Sequence, residues 1–198
     1  MINKIKLNII SNRKLCENKN LERQIEKIFL AYEKKIILKK FEIVSLTLRE
    51  KDLDKKEYLN LVEKIYPICK KYKINLILHQ NYDLNLDEKY MIEGLHLSYE
   101  IFKSLNKNIR EGLIKKYKRI GVSIHSLDEA KEAESLGATY VVAGHIFETD
   151  CKKDLKPRGL KFVEDLSSTL TIPIFAIGGI DEKNSQSVID SGAFGLCM

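Results

Sequence analysis

The chain has 198 residues and a formal net charge of +6, with 44% hydrophobic and 31% charged residues, which suits one globular domain with its own core. Its four cysteines contain no Cys-x-x-Cys pair, which argues against a zinc site or a disulfide framework and favours a cytoplasmic location. No signal peptide, apolar run of ~18 residues or nucleic-acid-binding motif is visible, so we expect no membrane or nucleic-acid partner.

Short apolar runs alternate with longer stretches of helical periodicity along the chain. The apolar runs are predicted as eight strands, namely Leu7–Ile10, Ile43–Leu48, Ile74–Leu78, Gly94–Leu97, Arg119–Ser123, Tyr140–Ala143, Ile174–Ala176 and Phe194–Cys197. The stretches between them are predicted as helices, namely Leu21–Leu38, Lys55–Lys71, Leu86–Met91, Tyr99–Lys116, Leu127–Leu136, Gly159–Leu170 and Glu182–Asp190. This alternation predicts a closed (β/α)8 TIM barrel of the α/β class, formed by residues 1–198 as a single domain. Because the chain stops after the eighth strand, we expect the final helix to be missing.

The active sites of such barrels lie at the carboxyl ends of the strands, so polar residues at these ends are the candidates. Arg49 and Lys51 follow the second strand on one side of the chain, and their positive charges suit an anionic ligand. The alternative is a surface salt-bridge cluster with Glu50 and Asp52. The other lysines are spread over predicted helices, so the charge of +6 is interpreted mainly as a solvated surface, with a field that attracts anions as the alternative.

Three histidines lie at or near strand ends. We interpret His79 and His96, near the ends of the third and fourth strands, as packed structural residues, with ligand contact as the alternative. His125 lies between the fifth strand and the next helix, directly before Ser126, which forms a predicted capping box with Glu129. An imidazole with an ordinary pKa near ~6.5 exchanges protons near neutrality, so His125 is a candidate acid–base group. A residue that belongs only to the capping region is the alternative.

Two further loops hold candidate ligand-binding residues. The loop after the sixth strand is the longest polar connection and contains His145, Thr149 and Lys152, with a merely solvated loop as the alternative. Gly178 and Gly179 follow the seventh strand, where glycines let backbone N–H groups approach a phosphate closely. Barrels often bind phosphate between the loops after strands seven and eight. The alternative for the glycine pair is a tight turn.

At these loops the sequence resembles the thiamine-phosphate synthase/TenI superfamily over nearly its whole length. The matching segments are LREK at 48–51, GLHL at 94–97, GVSIHSLDEA at 121–130, the stretch 140–159 and IPIFAIGGI at 172–180. The resemblance implies a (β/α)8 barrel, a phosphorylated thiazole as the small-molecule partner and, since family members often form dimers or larger assemblies, a homo-oligomer as an option. It also implies one of two activities. Synthases join a pyrimidine diphosphate to a thiazole phosphate with Mg²⁺, and TenI-type tautomerases aromatise a carboxythiazole phosphate.

Departures from the synthase pattern favour the tautomerase. Where synthases carry Asn-Asp after strand three, with the Asp helping to hold magnesium, this chain carries His79-Gln80. A second Asp that is expected soon after strand four is missing from residues 97–101, which are LSYEI. Residues 144–159, GHIFETDCKKDLKPRG, and the Ser-x-His-Ser pattern at 123–126 are instead similar to TenI-type proteins.

The resemblance therefore implies a thiazole tautomerase that needs no metal or organic cofactor, with His125 as the acid–base group of the proton shift. The residues then expected to bind the substrate are Arg49, Lys51, Ser123, His145, Thr149, Lys152, Gly178 and Gly179. Two alternatives stay open. One is a thiamine-phosphate synthase, and the other is a non-catalytic protein that binds thiazole phosphate or has a regulatory role.

Overall fold

Eight parallel strands close into a barrel in chain order, and the last strand pairs with the first. The structure, a computed structural model, describes every residue except 1–3, 17, 19, 38, 85, 88 and 150–154. The strands are β1 Ile5–Ile10, β2 Phe41–Leu48, β3 Asn75–His79, β4 Gly94–Ser98, β5 Arg119–Ile124, β6 Tyr140–Gly144, β7 Ile174–Ile177 and β8 Gly195–Cys197. The helices of the described residues are α1 Leu21–Glu33, α2 Lys55–Lys71, α3 Tyr99–Ser104, α4 Lys107–Lys116, α5 Leu127–Ser135, α6 Gly159–Ser167 and α7 Ser185–Asp190. The predicted (β/α)8 barrel is confirmed.

The connection between β3 and β4 differs from its prediction. The described residues of 86–91 form a turn and irregular chain, so the helix predicted there is wrong. The Tyr90 N–H donates to the Asp87 carbonyl, and the Lys89 N–H donates to the Asp87 carboxylate, both at 3.0 Å. An aspartate that bonds to its neighbouring backbone in this way competes with helix formation.

The helix predicted over 99–116 is two helices, α3 and α4. The side chain of Asn106 accepts a hydrogen bond from the Ile109 N–H at 2.9 Å and so caps the start of α4. An asparagine in this position starts a new helix more readily than it continues an old one. The break lets the chain turn between β4 and β5 without changing the order of the strands.

The core lies on both sides of the strands. Between strands and helices it contains fully buried side chains such as Leu46 and Val122. Inside the barrel, a second cluster is formed by Ile77, Tyr140, Val142, Phe175 and Cys197. Parallel strands that are buried on both faces have nearly continuous apolar sequences, which explains why the runs were recognisable. Among the described residues, no helix combines the length and the apolar character needed to cross a membrane.

A band of polar side chains crosses the barrel lumen. Asn8 Nδ2 lies 3.0 Å from Thr47 Oγ1, and on the other side His96 Nδ1 lies 3.2 Å from the Tyr140 hydroxyl. The strand register places Gly121 of β5 between His96 and Tyr140. A Cβ atom at Gly121 would lie 2.0 Å from Tyr140 Cζ. The missing side chain at this position therefore allows the two large rings to meet.

We expect Gly121→Ala to lower the free energy of unfolding by about 1–3 kcal/mol, because the added methyl group overlaps the Tyr140 ring. Gly112→Ala is the matched control. A Cβ at Gly112 meets no heavy atom within 4 Å, and the residue lies inside α4, so alanine should raise the free energy of unfolding by up to about 1 kcal/mol. Urea denaturation of both variants measures the difference, and an unchanged midpoint for Gly121→Ala would contradict the packing described.

Candidate active site

Arg49 and Lys51 lie directly after the carboxyl end of β2, on a loop that the buried carboxylate of Glu50 stabilises. Glu50 is 4% exposed, and its Oε1 accepts a hydrogen bond from Ser11 Oγ at 2.7 Å. Both carboxylate oxygens also accept the Arg13 N–H at 3.1 Å. The Ser11 hydroxyl oxygen accepts the Arg49 N–H at 2.8 Å. The ends of β1 and β2 are thus tied together, which fixes the backbone that carries Arg49 and Lys51.

Glu50 and Asp52, the carboxylates of the alternative salt-bridge cluster, pair with Arg13 rather than with Arg49. The Arg13 guanidinium lies 3.4 Å from the Glu50 carboxylate and 2.6 Å from the Asp52 carboxylate. The hydrogen bond from Arg13 is the main cause that lowers the pKa of Asp52 to about 2. Both carboxylates next to Arg49 are therefore engaged by a residue of the neighbouring β1 loop.

Two buried imidazoles lie in the lumen near these cations. The rings of His79 and His96 stack with centroids 5.9 Å apart and an interplanar angle of 17°. Besides its bond to Tyr140, His96 is held through Nε2, which lies 2.8 Å from Ser123 Oγ. His96 is thus a packed lumen residue, as the sequence predicted.

Burial keeps both imidazoles neutral at neutral pH. Burial and, to a smaller extent, the positive charge of Arg49 together lower the pKa of His96 from its usual 6.5 to about 4. Burial also lowers the pKa of His79 from 6.5 to about 3, aided by His96, Arg49 and Lys51. Arg49 is half-buried and follows Thr47 by two residues, so the alternation of the strand places it on the side of Thr47, which bonds to Asn8 in the lumen.

His125 lies at the rim of the mouth. Its side chain is 47% exposed, and Nδ1 is 3.6 Å from the Glu129 carboxylate on α5. Its backbone N–H donates to the same carboxylate at 2.6 Å, and its carbonyl accepts from Arg158 Nε at 2.8 Å. The predicted capping box forms in part, because Ser126 Oγ accepts the Glu129 N–H at 3.1 Å while Glu129 reaches back to His125.

The loops after β6 and β7 pack closely against each other. The Phe147 N–H donates to the Gly178 carbonyl at 2.9 Å. Gly178 and Gly179 have φ values of 104° and 65°, which favour glycine. A Cβ at Gly179 would lie 2.3 Å from the Glu148 carbonyl oxygen. Both glycines are therefore required for the packing of the two loops, and their contact with a phosphate stays a prediction.

The remaining candidates near this loop differ in placement. His145 is 2% exposed, its Nε2 lies 3.1 Å from the Leu155 carbonyl oxygen, and within the described residues its buried Nδ1 has no partner. Ser123 belongs to the lumen through its bond to His96. Thr149 is half-buried at the end of the described part of the loop. Lys152 lies outside the described residues, so its contact with an anion stays a prediction.

Sequence reasoning missed the residues that hold the site together. Tyr140 was assigned only to the start of a strand, although the alternation with Val142 places both on the lumen side. Glu50 was considered only as a surface partner. Its position after a strongly apolar strand is a signal of burial, but the sequence contains nothing that identifies Ser11, 39 residues away, as its partner.

A family model described as thiamine monophosphate synthase matches residues 7–198. The chain belongs to this family. The thiamine-phosphate synthase of Clostridium acetobutylicum is 32% identical over 193 residues, which cover 98% of this chain and 84% of the relative. That of Halalkalibacterium halodurans is 34% identical over 154 residues, which cover 77% of this chain and 71% of the relative. A solved thiamine phosphate pyrophosphorylase from Pyrococcus furiosus superposes with a TM-score of 0.77 at 24% identity, covering 99% of this chain and 86% of that one, a likeness of fold.

The similarity to named synthases of the thiamine monophosphate synthase family overturns the tautomerase prediction. That prediction depended on two loop patterns, at 144–159 and 123–126, and on missing carboxylates, whereas the similarity to the synthase of Clostridium acetobutylicum extends over 98% of the chain. The isomerase assignment is therefore wrong, whereas a catalytic role of His125 stays a prediction. The synthase alternative is better supported.

The neutral imidazoles predict a pH-dependent stability. Unfolded histidines take up a proton near pH 6.5, whereas His79 and His96 do so in the folded protein only at about 3 and about 4. The unfolded state therefore binds more protons between these limits. We expect the free energy of unfolding to fall as the pH drops from 6.5 towards 4, by about 1.4 kcal/mol per pH unit for each histidine.

Urea denaturation at stepped pH measures this slope. His79→Asn should reduce the slope by the contribution of one histidine, about 1.4 kcal/mol per pH unit. His125→Asn, which replaces a half-exposed histidine, is the matched control. Equal slopes in the wild-type protein and His79→Asn would contradict the assignment of a buried neutral ring.

Proposed function

We propose that this protein is a thiamine-phosphate synthase, which joins a hydroxymethylpyrimidine diphosphate to a thiazole phosphate. The observation that carries the proposal is the 32% identity to a curated thiamine-phosphate synthase over 98% of the chain. The family model that matches residues 7–198 supports the same activity.

The proposed reaction exchanges one bond for another at a single carbon. The bond between the methylene carbon of the pyrimidine and the diphosphate oxygen breaks, and its electron pair leaves with the pyrophosphate. The lone pair of the thiazole ring nitrogen forms the new C–N bond, so the reaction involves no oxidation or reduction. The site must therefore stabilise a departing polyanion and hold the nitrogen in line with the carbon.

Arg49 and Lys51 are the residues proposed to bind the diphosphate. A guanidinium offers two parallel donors to phosphate oxygens, and an ammonium adds a point charge. The tie between Glu50 and Ser11 holds the backbone of Arg49 before the substrate arrives. Donors that are already in position stabilise developing negative charge without reorganisation, which is the main electrostatic contribution available to such a reaction.

The two lumen imidazoles contribute by staying uncharged. As the pyrophosphate departs, positive charge develops on the methylene carbon and then on the thiazole ring. A protonated His79 or His96 next to this carbon would oppose that charge. Their low pKa values, about 3 and about 4, remove this repulsion throughout the neutral pH range.

The thiazole phosphate is proposed to bind across the mouth from Arg49. The loop with Gly178 and Gly179 supplies backbone at a strand end where barrels commonly hold phosphate. Thr149, at the end of the described part of the preceding loop, and Lys152, which lies outside the described residues, are proposed as further ligands of the phosphate. Ser123, His125 and His145 border the same region and are proposed to shape the space for the ring.

Magnesium, which the resemblance to synthases implies, does not fit the described side chains of this mouth. Magnesium prefers oxygen ligands, usually one or two carboxylates together with phosphates. His79 presents an imidazole, both ring nitrogens of His96 are engaged, and the carboxylate of Glu50 is occupied by Ser11 and Arg13. Within the described residues, no three His, Cys, Asp or Glu side chains are placed to share a metal ion. The charge of the diphosphate is therefore assigned to the two cations after β2.

Incubation of the purified protein with both precursors tests the activity. We expect thiamine phosphate and pyrophosphate to form in equal amounts, with the product measured by fluorescence after oxidation to thiochrome. The assay is run with and without millimolar Mg²⁺, so that it also detects activity that needs magnesium bound to the diphosphate. Absence of thiamine phosphate under both conditions would rule out the proposed function.

Substitutions of Arg49 test its assignment. Arg49→Gln should lower kcat/KM for the diphosphate about 10- to 100-fold, because a hydrogen bond to a charged group contributes about 1.5–3 kcal/mol. Arg49→Lys, which keeps the charge but loses the fork, should fall between this variant and the wild type. Lys107→Gln, whose side chain is 81% exposed on α4, is the control. Arg49→Gln with kcat/KM within twofold of the control would refute the assignment.

A further inference from the structure

A cavity of about 390 Å³ opens at the amino ends of the strands, at the end of the barrel opposite the candidate active site. Its rim comes from residues at the start of strands or just before them, such as Lys6, Arg119, Pro173 and Phe194, and Ser45 is among its inner residues. Pockets that bind small molecules typically occupy ~300–1,000 Å³. The cavity is therefore large enough for a compact aromatic molecule.

One wall of the cavity is aromatic. The rings of Tyr140, Phe175 and Phe194 follow one another edge to face, with successive centroids 5.6 Å apart. Phe194 at the outer end is 44% exposed, so part of its ring faces the solvent. Aromatic side chains offer a large apolar contact area with few rotatable bonds, which suits a flat ring as the ligand.

The cavity also carries an excess of positive charge. Its lining contains Lys6, Lys118 and Arg119 but, as an acidic residue, only Glu42 among those described. Lys6 Nζ lies 3.7 Å from the centroid of the Phe194 ring, and no carboxylate of the described residues is within salt-bridge distance of it. Glu93 lies 3.7 Å from both Arg119 and Lys118. Lys6 is half-buried and is the cation of this lining for which the described residues supply no carboxylate partner, and a bound anion would supply one.

An irregularity in the strands helps to form the cavity. The register between β1 and β2 shifts between Leu7 and Asn8, because Leu7 pairs with Ile43 while Asn8 pairs with Ser45. Val44 is the extra residue and packs against the lumen cluster. Such bulges redirect side chains and are frequent near binding sites. Here the bulge brings both Val44 and Ser45 to the lining.

We propose that this cavity binds a planar aromatic molecule that carries one anionic group, at a site separate from the catalytic mouth. The ring packs against Phe194 and Phe175, and the anionic group lies between Lys6 and Arg119. A single anionic charge is the best match, since Glu42 and Glu93 offset part of the positive charge. The band formed by the Asn8–Thr47 and His96–Tyr140 hydrogen bonds lies between this cavity and the opposite mouth.

Titration with the aromatic sulfonate 8-anilinonaphthalene-1-sulfonate tests the site on the folded full chain, with fluorescence as the readout. We expect saturable binding that Lys6→Gln and Phe194→Ser each weaken about fivefold or more, because each removes one side of the cation–aromatic pair. Ile109→Ser is the matched control for Phe194→Ser, since the two residues are 43% and 44% exposed. Lys107→Gln is the control for Lys6→Gln. Circular dichroism confirms that the compared variants are folded.

Competition separates this site from the catalytic one. Saturating pyrophosphate, which is a ligand of the proposed active site, should leave the affinity for the sulfonate unchanged within twofold. Amide chemical-shift changes at Ser45 and Thr139, which line the cavity, locate the bound sulfonate independently of the variants. Any of three results would overturn the proposal: no saturable binding, equal affinity in the cavity and control variants, or displacement of the sulfonate by pyrophosphate.

Discussion

His96 lies near the middle of the barrel lumen with a partner at each ring nitrogen, the Tyr140 hydroxyl on one and the Ser123 hydroxyl on the other. An imidazole bonded at both nitrogens cannot rotate without leaving a buried polar group unpaired, at a cost of about 1–3 kcal/mol. Its orientation fixes the ring of His79, which stacks on it towards the carboxyl end. It also fixes Tyr140, whose ring forms part of the cavity at the amino end.

The positive charge of Arg49 disfavours protonated histidines nearby and favours a bound anion. It disfavours protonation of His79 and His96, which already lose stability as cations through burial. It favours an anion at the mouth, since no carboxylate from the described residues forms a salt bridge with it. The same placement therefore keeps the lumen neutral and leaves the positive charge for a ligand. Glu50 makes this possible, because its oxygens are taken up by Ser11 and Arg13 and do not neutralise Arg49.

The strands and the closed barrel were predictable because each strand is buried on both faces and so has an apolar sequence of its own. The turn around Asp87 was not predictable. Six residues in which polar and apolar side chains are mixed do not distinguish a helix from a turn that a side chain stabilises. The position of Arg49 and Lys51 after β2 was predictable from the strand pattern, and their contact with a ligand stays a prediction. The partners of His96 were not predictable, because Ser123 and Tyr140 lie 27 and 44 residues away and meet it only through the barrel register.

The loop patterns and the overall similarity of the chain pointed to different activities, and the packing of the loop after β6 offers a physical reason. The glycines of the β7 loop and the backbone of the β6 loop must match each other to pack, as the contact between Gly179 and Glu148 requires. A loop pattern can therefore be kept for its packing while the chemistry is determined elsewhere. The similarity to the Clostridium acetobutylicum synthase, in contrast, extends over 193 residues, which cover the strands as well as the loops. The site is for this reason better judged from the charges and hydrogen bonds that surround the lumen than from the sequence of its longest loop.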